Sequence, residues 1–213
     1  MNVTNSIGII PTSEQMREII KESHRRSESY GVSRKERNTN HFKLSPALLK
    51  KRKDDNVDIL AQVRATVEEF YEFMSPDDFS VGFADRDGYV LNIAGGETAL
   101  HNSDERQFSP GYRWTEQDVG TSATSLCLKL KIPIQLNDKD HYCKRAHGFI
   151  SSAAPIFGHK GVLLGILCVV GASSLVHPHT LIMITSAARS IERNMRLLRR
   201  NKEMSMYLSL IHI

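Results

Sequence analysis

The sequence predicts an α+β domain in which helices cover an antiparallel sheet, and three observations indicate it. Apolar residues from Val57 to Met74 recur at spacings of three and four, which is typical of a helix with one buried face. From Phe79 the pattern changes to short β-type runs separated by turns. From Leu181 the helical spacing returns and continues to Leu198. Helices before and after a run of strands favour a layered α+β domain.

Composition places the chain among ordinary globular proteins. Its 213 residues are 40% hydrophobic and 24% charged, which is enough for one sizeable core. The net charge of +4 comes from local runs, so a general nucleic-acid surface is not indicated. Three cysteines without regular spacing favour reduced thiols and a cytoplasmic location. The sequence has no signal pattern and no apolar run of about 18 residues, so no membrane partner is expected.

Residues 1–56 are predicted to be an N-terminal helical extension. Ser13 is expected to begin a helix that carries apolar residues on one face and ends near Gly31. Ser45 and Pro46 are expected to begin a second helix, as its N-cap and first-turn residue. The basic run Lys50–Lys53 is interpreted as a solvated helix face, with nucleic-acid contact as the alternative.

Residues 57–203 are predicted to form the main domain, and residues 204–213 the start of a linker or of a truncated further module. After the first amphipathic helix, Asp85–Gly88 is expected to turn a hairpin. Residues 97–110 are expected to be a polar link that leads to a short inserted helix. The expected strands are Phe79–Ala84, Tyr89–Ala94, Ile132–Leu136, Phe149–Phe157 and Val162–Val170.

The segment Gly111–Leu126 is the strongest candidate for a ligand site. It contains Trp114, the only tryptophan of the chain, among polar neighbours. Gly120 permits an unusual backbone turn, and the hydroxyl of Thr121 or Ser122 can cap the helix that follows. A polar loop beside a helix with a buried face can form the wall of a small-molecule pocket. The alternative is that Trp114 only fills the edge of the core.

The last helix has a long apolar seam whose other positions are mostly basic. Because this seam is longer than one small sheet would bury, we expect it to pack against a second copy of the chain. The helix that begins at Val57 has a matching seam, so a four-helix interface across a homodimer is predicted. The alternative is that both seams cover the chain's own sheet. The predicted interface residues are Leu60, Val63, Val67, Phe70, Leu181, Ile184, Ala188, Ile191, Met195 and Leu198.

Short motifs along the chain occur in an order that is found in one known family. The main ones are Gly111–Glu116, Val119–Thr121, Asp140–Tyr142, Ser152–Ile156, Gly161 with Leu164–Leu167, and His177–Thr180. Earlier pieces are Ser23–Arg26, Gly31-Val32 and Leu44-Ser45. With these motifs the chain resembles the N-terminal GAF sensory domain of sigma-54-dependent transcriptional activators, of the acetoin-catabolism and dihydroxyacetone-operon regulator type. The ordered set is fairly specific, although no single motif is decisive.

The resemblance implies a GAF fold, with a ligand cavity on one side of the sheet and a helical dimer face on the other. It implies a sensor that signals through dimer helices to an ATPase and DNA-binding output, which in turn contacts DNA and sigma-54 RNA polymerase. The chain has no Gly-rich loop ending in Gly-Lys-Ser/Thr, so those modules are expected to be absent from it. Two positions depart from the family pattern. Ser151 stands where a cysteine is expected, which weakens the case for thiol-based sensing, and His24 stands where a tryptophan is expected.

Within that fold, a small metabolite is expected to bind between the loop at Trp114, the segment at His141 and the strand at Ser151. Trp114 offers an apolar or stacking surface, and the other groups offer polar contacts that fix the orientation of the ligand. The predicted ligand-binding residues are Trp114, Glu116, Thr121, His141 and Ser151. No metal and no cofactor are predicted, and the sequence does not identify the effector.

Hydrolytic and metal-binding alternatives have weaker signals. His141 and the nearby serines have the residue types of a nucleophilic hydrolase, but there is no Gly-x-Ser-x-Gly elbow. His141, Cys143 and His147 are candidate zinc ligands at an unusual spacing. His177 and His179 flank a proline at a helix start, where capping is the favoured interpretation.

A thiol-dependent reductase of the GAF type is a further enzymatic alternative. Such an enzyme needs reactive cysteines, but Cys127 and Cys168 lie in apolar runs, which leaves Cys143 as the more exposed candidate. A haem or iron sensor and an interaction module with an empty pocket are also open. We expect a binding protein rather than an enzyme, because no convincing catalytic set is present.

Overall fold

An antiparallel sheet lies at the centre of the fold. The computed structural model describes residues 11–35, 42–72, 74–175 and 179–211. Within these ranges the strands are β1 (Phe79–Asp85), β2 (Val90–Ala94), β3 (Ile134–Asn137), β4 (Phe149–Phe157) and β5 (Leu163–Ala172). They pair in the order β2-β1-β5-β4-β3, and every pair is antiparallel. The predicted α+β class is confirmed, as are the predicted bounds of β4.

Helices precede, interrupt and follow the strands. They are α1 (Ser13–Ser29), α2 (Pro46–Asp55), α3 (Val57–Phe70), α4 (Glu97–Glu105), α5 (Glu116–Val119), α6 (Ala123–Leu130) and α7 (His179–Ile211). The predicted start of α2 is confirmed, because the Ser45 hydroxyl accepts the amide of Leu48 at 3.4 Å and Pro46 is the first helical residue. The capping role predicted for His177 lies outside the described residues.

Helices α3 and α7 cover one face of the sheet, which we name the α3–α7 face. The two helices pack on each other and on β1, β4 and β5. Their apolar side chains form the larger core of the domain together with strand residues such as Phe83 and Leu167. The amphipathic patterns of α3 and α7 therefore bury their apolar sides against this sheet.

The seams predicted to form a dimer interface are largely buried within the chain. Val63, Ile184 and Ile191 are 0% exposed and Ala188 is 1% exposed, so these side chains present no surface to a second copy. Val67, Phe70 and Leu181 belong to the same core, Leu60 and Met195 pack at its edge, and Leu198 is half-buried. This is the packing that the alternative interpretation predicted. Periodicity indicates that a helix face is buried, but it does not identify what covers that face.

Helices α4, α5 and α6 cover the opposite face, which we name the α4–α6 face, and α1 packs over α5. Residues paired across antiparallel strands project to the same side of a sheet. Ser80 pairs with Val170, which in turn pairs with Ser151, so these three form one row on the α4–α6 face. In the next row, Gly82 pairs with Cys168. Near β1 this face therefore has small side chains beneath the helices, whereas Leu136 and Val170 flank Ser151.

Two segments differ from their predicted structure. Residues Glu97–Glu105 form α4, whereas the sequence predicts only a polar link there. The buried side of this helix consists of the small residues Ala99 and Ser103, so no apolar pattern indicates it. Arg52 of the basic run is not simply solvated: it donates to Asp85 at 2.6 Å and to Asp87 at 2.8 Å. That ion pair fastens α2 to the hairpin of β1 and β2.

Helix α7 continues to Ile211, through most of the segment predicted to be a linker. Lys202 near its end pairs with Asp58 of α3 at 2.6 Å. The division of the chain into an extension, a main domain and a linker stays a prediction. Among the described helices, none combines the length and apolar character that a membrane span requires.

Candidate functional site

Glu116, the first residue of α5, joins α1 to the α4–α6 face. Arg26 of α1 donates to both carboxylate oxygens, at 2.8 and 2.7 Å, and Lys129 of α6 donates at 3.1 Å. The Ser23 hydroxyl is a further donor. Burial works to raise the pKa of this carboxyl group, but the hydrogen bonds from Arg26, Ser23 and Lys129 outweigh it and lower the pKa below its ordinary value. The carboxylate of Glu116, a predicted ligand contact, is therefore hydrogen-bonded by side chains of the chain itself.

Thr121 belongs to the same connection with α1. Its hydroxyl lies 2.7 Å from Ser23 Oγ and 3.3 Å from Ser27 Oγ, and all three side chains are buried. The preceding Gly120 has a φ of +71°, the unusual turn that its sequence position predicts. A Cβ atom at Gly120 would lie 2.8 Å from the ring of Tyr142. Glycine is thus required by both the backbone and the packing.

Trp114 is buried in the apolar cluster of the α4–α6 face. The residue is 9% exposed, and its ring packs edge-on against Phe108 with 4.7 Å between centroids. Its Nε1–H donates to the carbonyl oxygen of Gln107 at 2.8 Å. The indole thus anchors the loop to this cluster, in agreement with the alternative interpretation of the residue.

His141 and Ser151 are joined by a buried hydrogen bond beside the start of β4. Nδ1 of His141 lies 3.0 Å from the carbonyl oxygen of Asp138, which can only accept, so this nitrogen carries the proton. Nε2 therefore accepts from Ser151 Oγ, 2.7 Å away. These two predicted ligand contacts are direct neighbours, and Ser151 lies on the row that begins at Ser80.

The protonation of His141 limits the chemistry that the pair can perform. Burial lowers the pKa of His141 to about 4, and the positive charge of Arg106 adds to the shift. A base with this pKa removes the proton of a serine poorly at pH 7. Nδ1 of His141 donates to a backbone carbonyl, whereas in a catalytic triad this nitrogen donates to a carboxylate that stabilises the imidazolium. The pair is therefore poorly arranged for nucleophilic attack by Ser151.

A second buried ion pair shapes the loop between Trp114 and α5. Arg113 donates to both carboxylate oxygens of Asp118, at 2.9 and 2.8 Å. Asp118 also accepts from the hydroxyl and the amide of Thr115, which caps α5. The guanidinium of Arg113 lies 4.3 Å from the ring centroid of Phe42. This network holds the loop in one conformation, and the sequence pattern did not indicate it.

Arg106, which follows α4, is a further buried polar residue that the sequence pattern did not indicate. It is 5% exposed, and its Nη1 has no hydrogen-bond partner among the described residues. Its guanidinium carbon lies 3.7 Å from the ring centroid of Phe149. A helical interpretation of this segment would have found it, because Ala99, Ser103 and Arg106 then lie on one face at spacings of four and three.

The zinc alternative has little support from the geometry. Within the described ranges, no group of three His, Cys, Asp or Glu side chains is arranged to hold a metal ion. The nitrogens of His141 are used by Asp138 and Ser151, and His147 Nε2 lies 3.2 Å from the carbonyl oxygen of His141. Cys143 Sγ lies 3.3 Å from the carbonyl oxygen of Val119. The three candidate ligands thus contact different partners.

The thiols are all buried. Cys143, predicted to be the more exposed thiol, is 3% exposed, because Tyr142 and Cys143 pack against Val32 in a small cluster of their own. Burial raises the pKa of Cys168 to about 12 and raises that of Cys127 well above its ordinary value. Protonated thiols are poor nucleophiles, so the geometry does not favour a thiol-dependent reductase.

Comparisons with known proteins match this fold. A family model described as the GAF domain matches residues 58–195. A signal-transduction and transcriptional-control protein of Clostridium beijerinckii is 26% identical over 196 residues, which are 88% of this chain and 29% of that protein. The acetoin dehydrogenase operon transcriptional activator AcoR of Bacillus subtilis is 34% identical over 122 residues, which are 57% of this chain and 20% of that protein. This chain therefore spans less than a third of the length of either relative.

A solved structure agrees with the family model. The E. coli DhaR(N)–DhaL complex contains a chain that matches with a TM-score of 0.84 at 19% identity. The match covers 91% of this chain and 66% of that chain. At this level of identity the likeness establishes the fold alone.

Proposed function

Because this chain belongs to the GAF domain family, we propose that it binds a small-molecule effector on behalf of a bacterial transcriptional regulator. The relatives named above are transcriptional-control proteins that are much longer than this chain. The output therefore lies in modules outside it: an ATPase and a DNA-binding module, which act on DNA and sigma-54 RNA polymerase in the cytoplasm. The domain itself has no catalytic role in this proposal.

The observation that carries the proposal is the buried pair of His141 and Ser151 on the α4–α6 face. Polar side chains inside a fold are costly unless they are hydrogen-bonded, so buried polar groups on an otherwise apolar floor are typical of a ligand site. Once Ser151 has donated to His141, its oxygen can still accept from a ligand.

The five predicted ligand-binding residues then have two roles. We propose that His141 and Ser151 contact the effector, and that Trp114 forms part of the wall around it. Glu116 and Thr121 bind α1 in the structure, so we propose that they couple the ligand site to that helix. Ligand binding can then shift α1 only if the ligand binds one arrangement of this junction better than another.

Strand β4 is the proposed route to the output helix. Ser151 faces the ligand side of β4, while Ala154 and Ile156 of the same strand pack in the core beneath α7. The amide of Phe157 also donates to Glu192 of α7 at 2.8 Å. A displacement of β4 would therefore move α7, which leads toward the output module.

We propose a homodimer through the exposed side of α7. Ile182, Leu197 and Met204 are 59%, 57% and 54% exposed, and their spacing along the sequence places them on one side of the helix. Replacing Leu197 and Met204 together with glutamate is expected to turn a dimer into a monomer, as measured by sedimentation equilibrium. Glutamate at the exposed position Arg64 of α3 serves as the control. A wild-type chain that sediments as a monomer at all concentrations would contradict the proposed dimer.

A thermal-shift screen of metabolites tests the sensing function. A compound present at 100 times its Kd stabilises a protein by about 2.7 kcal/mol, which raises the Tm of a domain of this size by roughly 5–10 °C. The Ser151→Ala variant is expected to lose much of this response. Ser152→Ala is the matched control, because Ser152 follows Ser151 in β4 and projects to the other side of the sheet. If no metabolite raises the Tm, or if the two variants respond equally, the proposed site is wrong.

A further inference from the structure

Arg106 differs from three other arginines that contact the interior of this domain. Arg26, Arg52 and Arg113 each donate to a carboxylate, at distances between 2.6 and 2.9 Å. Their side chains are 25%, 32% and 27% exposed, whereas Arg106 is 5% exposed. Yet Arg106 forms no ion pair with any described carboxylate.

The contacts that Arg106 does make compensate its charge only in part. Nη2 reaches Ser103 Oγ at 3.4 Å, a long hydrogen bond, and Nη1 has no partner in the described part of the chain. The Phe149 ring beneath the guanidinium provides a cation–π contact. The neighbouring Glu105 is 67% exposed and points its carboxylate at His101, 3.8 Å away.

The guanidinium nevertheless stays charged. Burial lowers the pKa of Arg106 to about 10; the negative charge of Glu105 opposes this shift and the positive charge of Arg145 adds to it. The side chain is therefore still a cation at pH 7. A buried cation without a counter-ion is strongly unfavourable in a protein interior. Such a group is typical of a site whose counter-ion is a ligand.

Arg106 lies at the same place on the sheet as the proposed effector contacts. Ser103, which Arg106 contacts, has its Oγ 2.9 Å from Ser80 Oγ. Ser80 begins the row that continues through Val170 to Ser151 on the α4–α6 face. Helix α4 therefore brings the guanidinium over the row that ends at the buried pair of Ser151 and His141.

We propose that the effector is an anion whose carboxylate or phosphate group binds the guanidinium of Arg106. This inference rests on the proposed sensing function and adds the chemical class of the ligand. A guanidinium offers parallel N–H donors that match the oxygens of a carboxylate or phosphate group. The Ser151 hydroxyl donates its proton to the neutral imidazole of His141, so its oxygen can accept from a hydroxyl or amide group elsewhere on the effector.

Matched pairs of charged and neutral probes test the inference. The 213-residue chain is titrated with lactate and lactamide, succinate and succinamide, and glycerol 3-phosphate and glycerol, in a buffer without phosphate or carboxylate. Isothermal calorimetry gives the affinities, and thermal unfolding gives the change in Tm. At least one acid is expected to bind at least tenfold more tightly than its neutral partner. The two acid classes separate a carboxylate effector from a phosphate effector.

Variants at position 106 give the decisive comparison. Arg106→Met is expected to weaken binding of that acid at least tenfold, because charge-assisted hydrogen bonds are lost. Without ligand, this variant is expected to melt at or above the wild-type temperature, because the substitution removes an unpaired buried charge. Arg106→Lys keeps the positive charge but loses the parallel N–H donors of the guanidinium. A smaller loss of affinity than in Arg106→Met is therefore expected. Arg64→Met, at an exposed position of α3, is the control and is expected to behave as wild type.

The possible failures are distinguishable. If a neutral compound binds and the acids do not bind better, the anionic effector is wrong while the sensing function stands. If acids bind equally well to the wild type, Arg106→Met and Arg106→Lys, the inference about Arg106 is overturned. If neither these probes nor any compound of the wider metabolite screen binds, both the proposed sensing function and the inference about Arg106 are wrong.

Discussion

Replacing Glu116 with alanine is expected to lower the unfolding free energy by about 3 kcal/mol and to release α1 from the domain. The substitution removes the acceptor of Arg26, Ser23 and Lys129 at once. Arg26 and Lys129 are 25% and 42% exposed, so water relieves part of the loss. The effect should therefore stay below the limit of about 5 kcal/mol for breaking a fully buried pair. Urea unfolding followed by the fluorescence of Trp114 measures it.

Glu22→Ala is the matched control for Glu116→Ala. Glu22 also pairs with arginines of α1, but it is 55% exposed, and exposed pairs contribute less than about 1 kcal/mol. Limited proteolysis gives an independent readout, because α1 should be cut earlier in Glu116→Ala than in Glu22→Ala. If the two variants are equally stable and equally resistant, Glu116 does not fasten α1.

Lowering the pH from 7 to 4 is expected to destabilise the wild type by about 3 kcal/mol more than the His141→Gln variant. The folded state lowers the pKa of His141 to about 4, from an ordinary value of 6.5. Between these two values the unfolded chain binds a proton that the folded chain excludes, so protonation favours unfolding. The penalty begins to grow as the pH falls through 6.5 and is complete below 4. Urea unfolding at a series of pH values measures the difference.

The control for this pH dependence is His101→Gln. His101 is 72% exposed, so its replacement should leave the pH dependence of the wild type unchanged. Carboxylates also contribute to acid destabilisation, but they do so equally in the wild type and in both variants. Parallel curves for the wild type and His141→Gln would show that His141 is not held neutral by burial.

Much of the fold could be predicted because local signals agree with the final packing. Strand β4 is a continuous β-type run bounded by Gly148 and Gly158, and its predicted bounds match the structure. Ser45 and Pro46 mark the start of α2 by capping chemistry that needs no tertiary contact. The apolar seams of α3 and α7 identified buried faces correctly.

The parts that could not be predicted depend on which surfaces meet. The seams of α3 and α7 were assigned to a second copy, but residues such as Ile184 and Ile191 are covered by the chain's own sheet. Helix α4 lacks an apolar stripe because its buried side is small and polar. For the same reason Arg106 could not be distinguished from a solvated arginine. Glu116 and Thr121 have the residue types of ligand contacts, yet their partners on α1 are between 90 and 98 residues away in sequence.

The proposed sensing function requires that a metabolite binds on the α4–α6 face of this domain. NMR of a chain labelled at the Trp114 indole and at isoleucine methyl groups tests it, with the compound that raises the Tm most as the ligand. Ile134 and Ile166 lie on the α4–α6 face, whereas Ile184 and Ile191 lie on the buried side of α7, in the core of the opposite face. We predict the largest shifts at Trp114, Ile134 and Ile166. Shifts confined to Ile184 and Ile191 would contradict the claim.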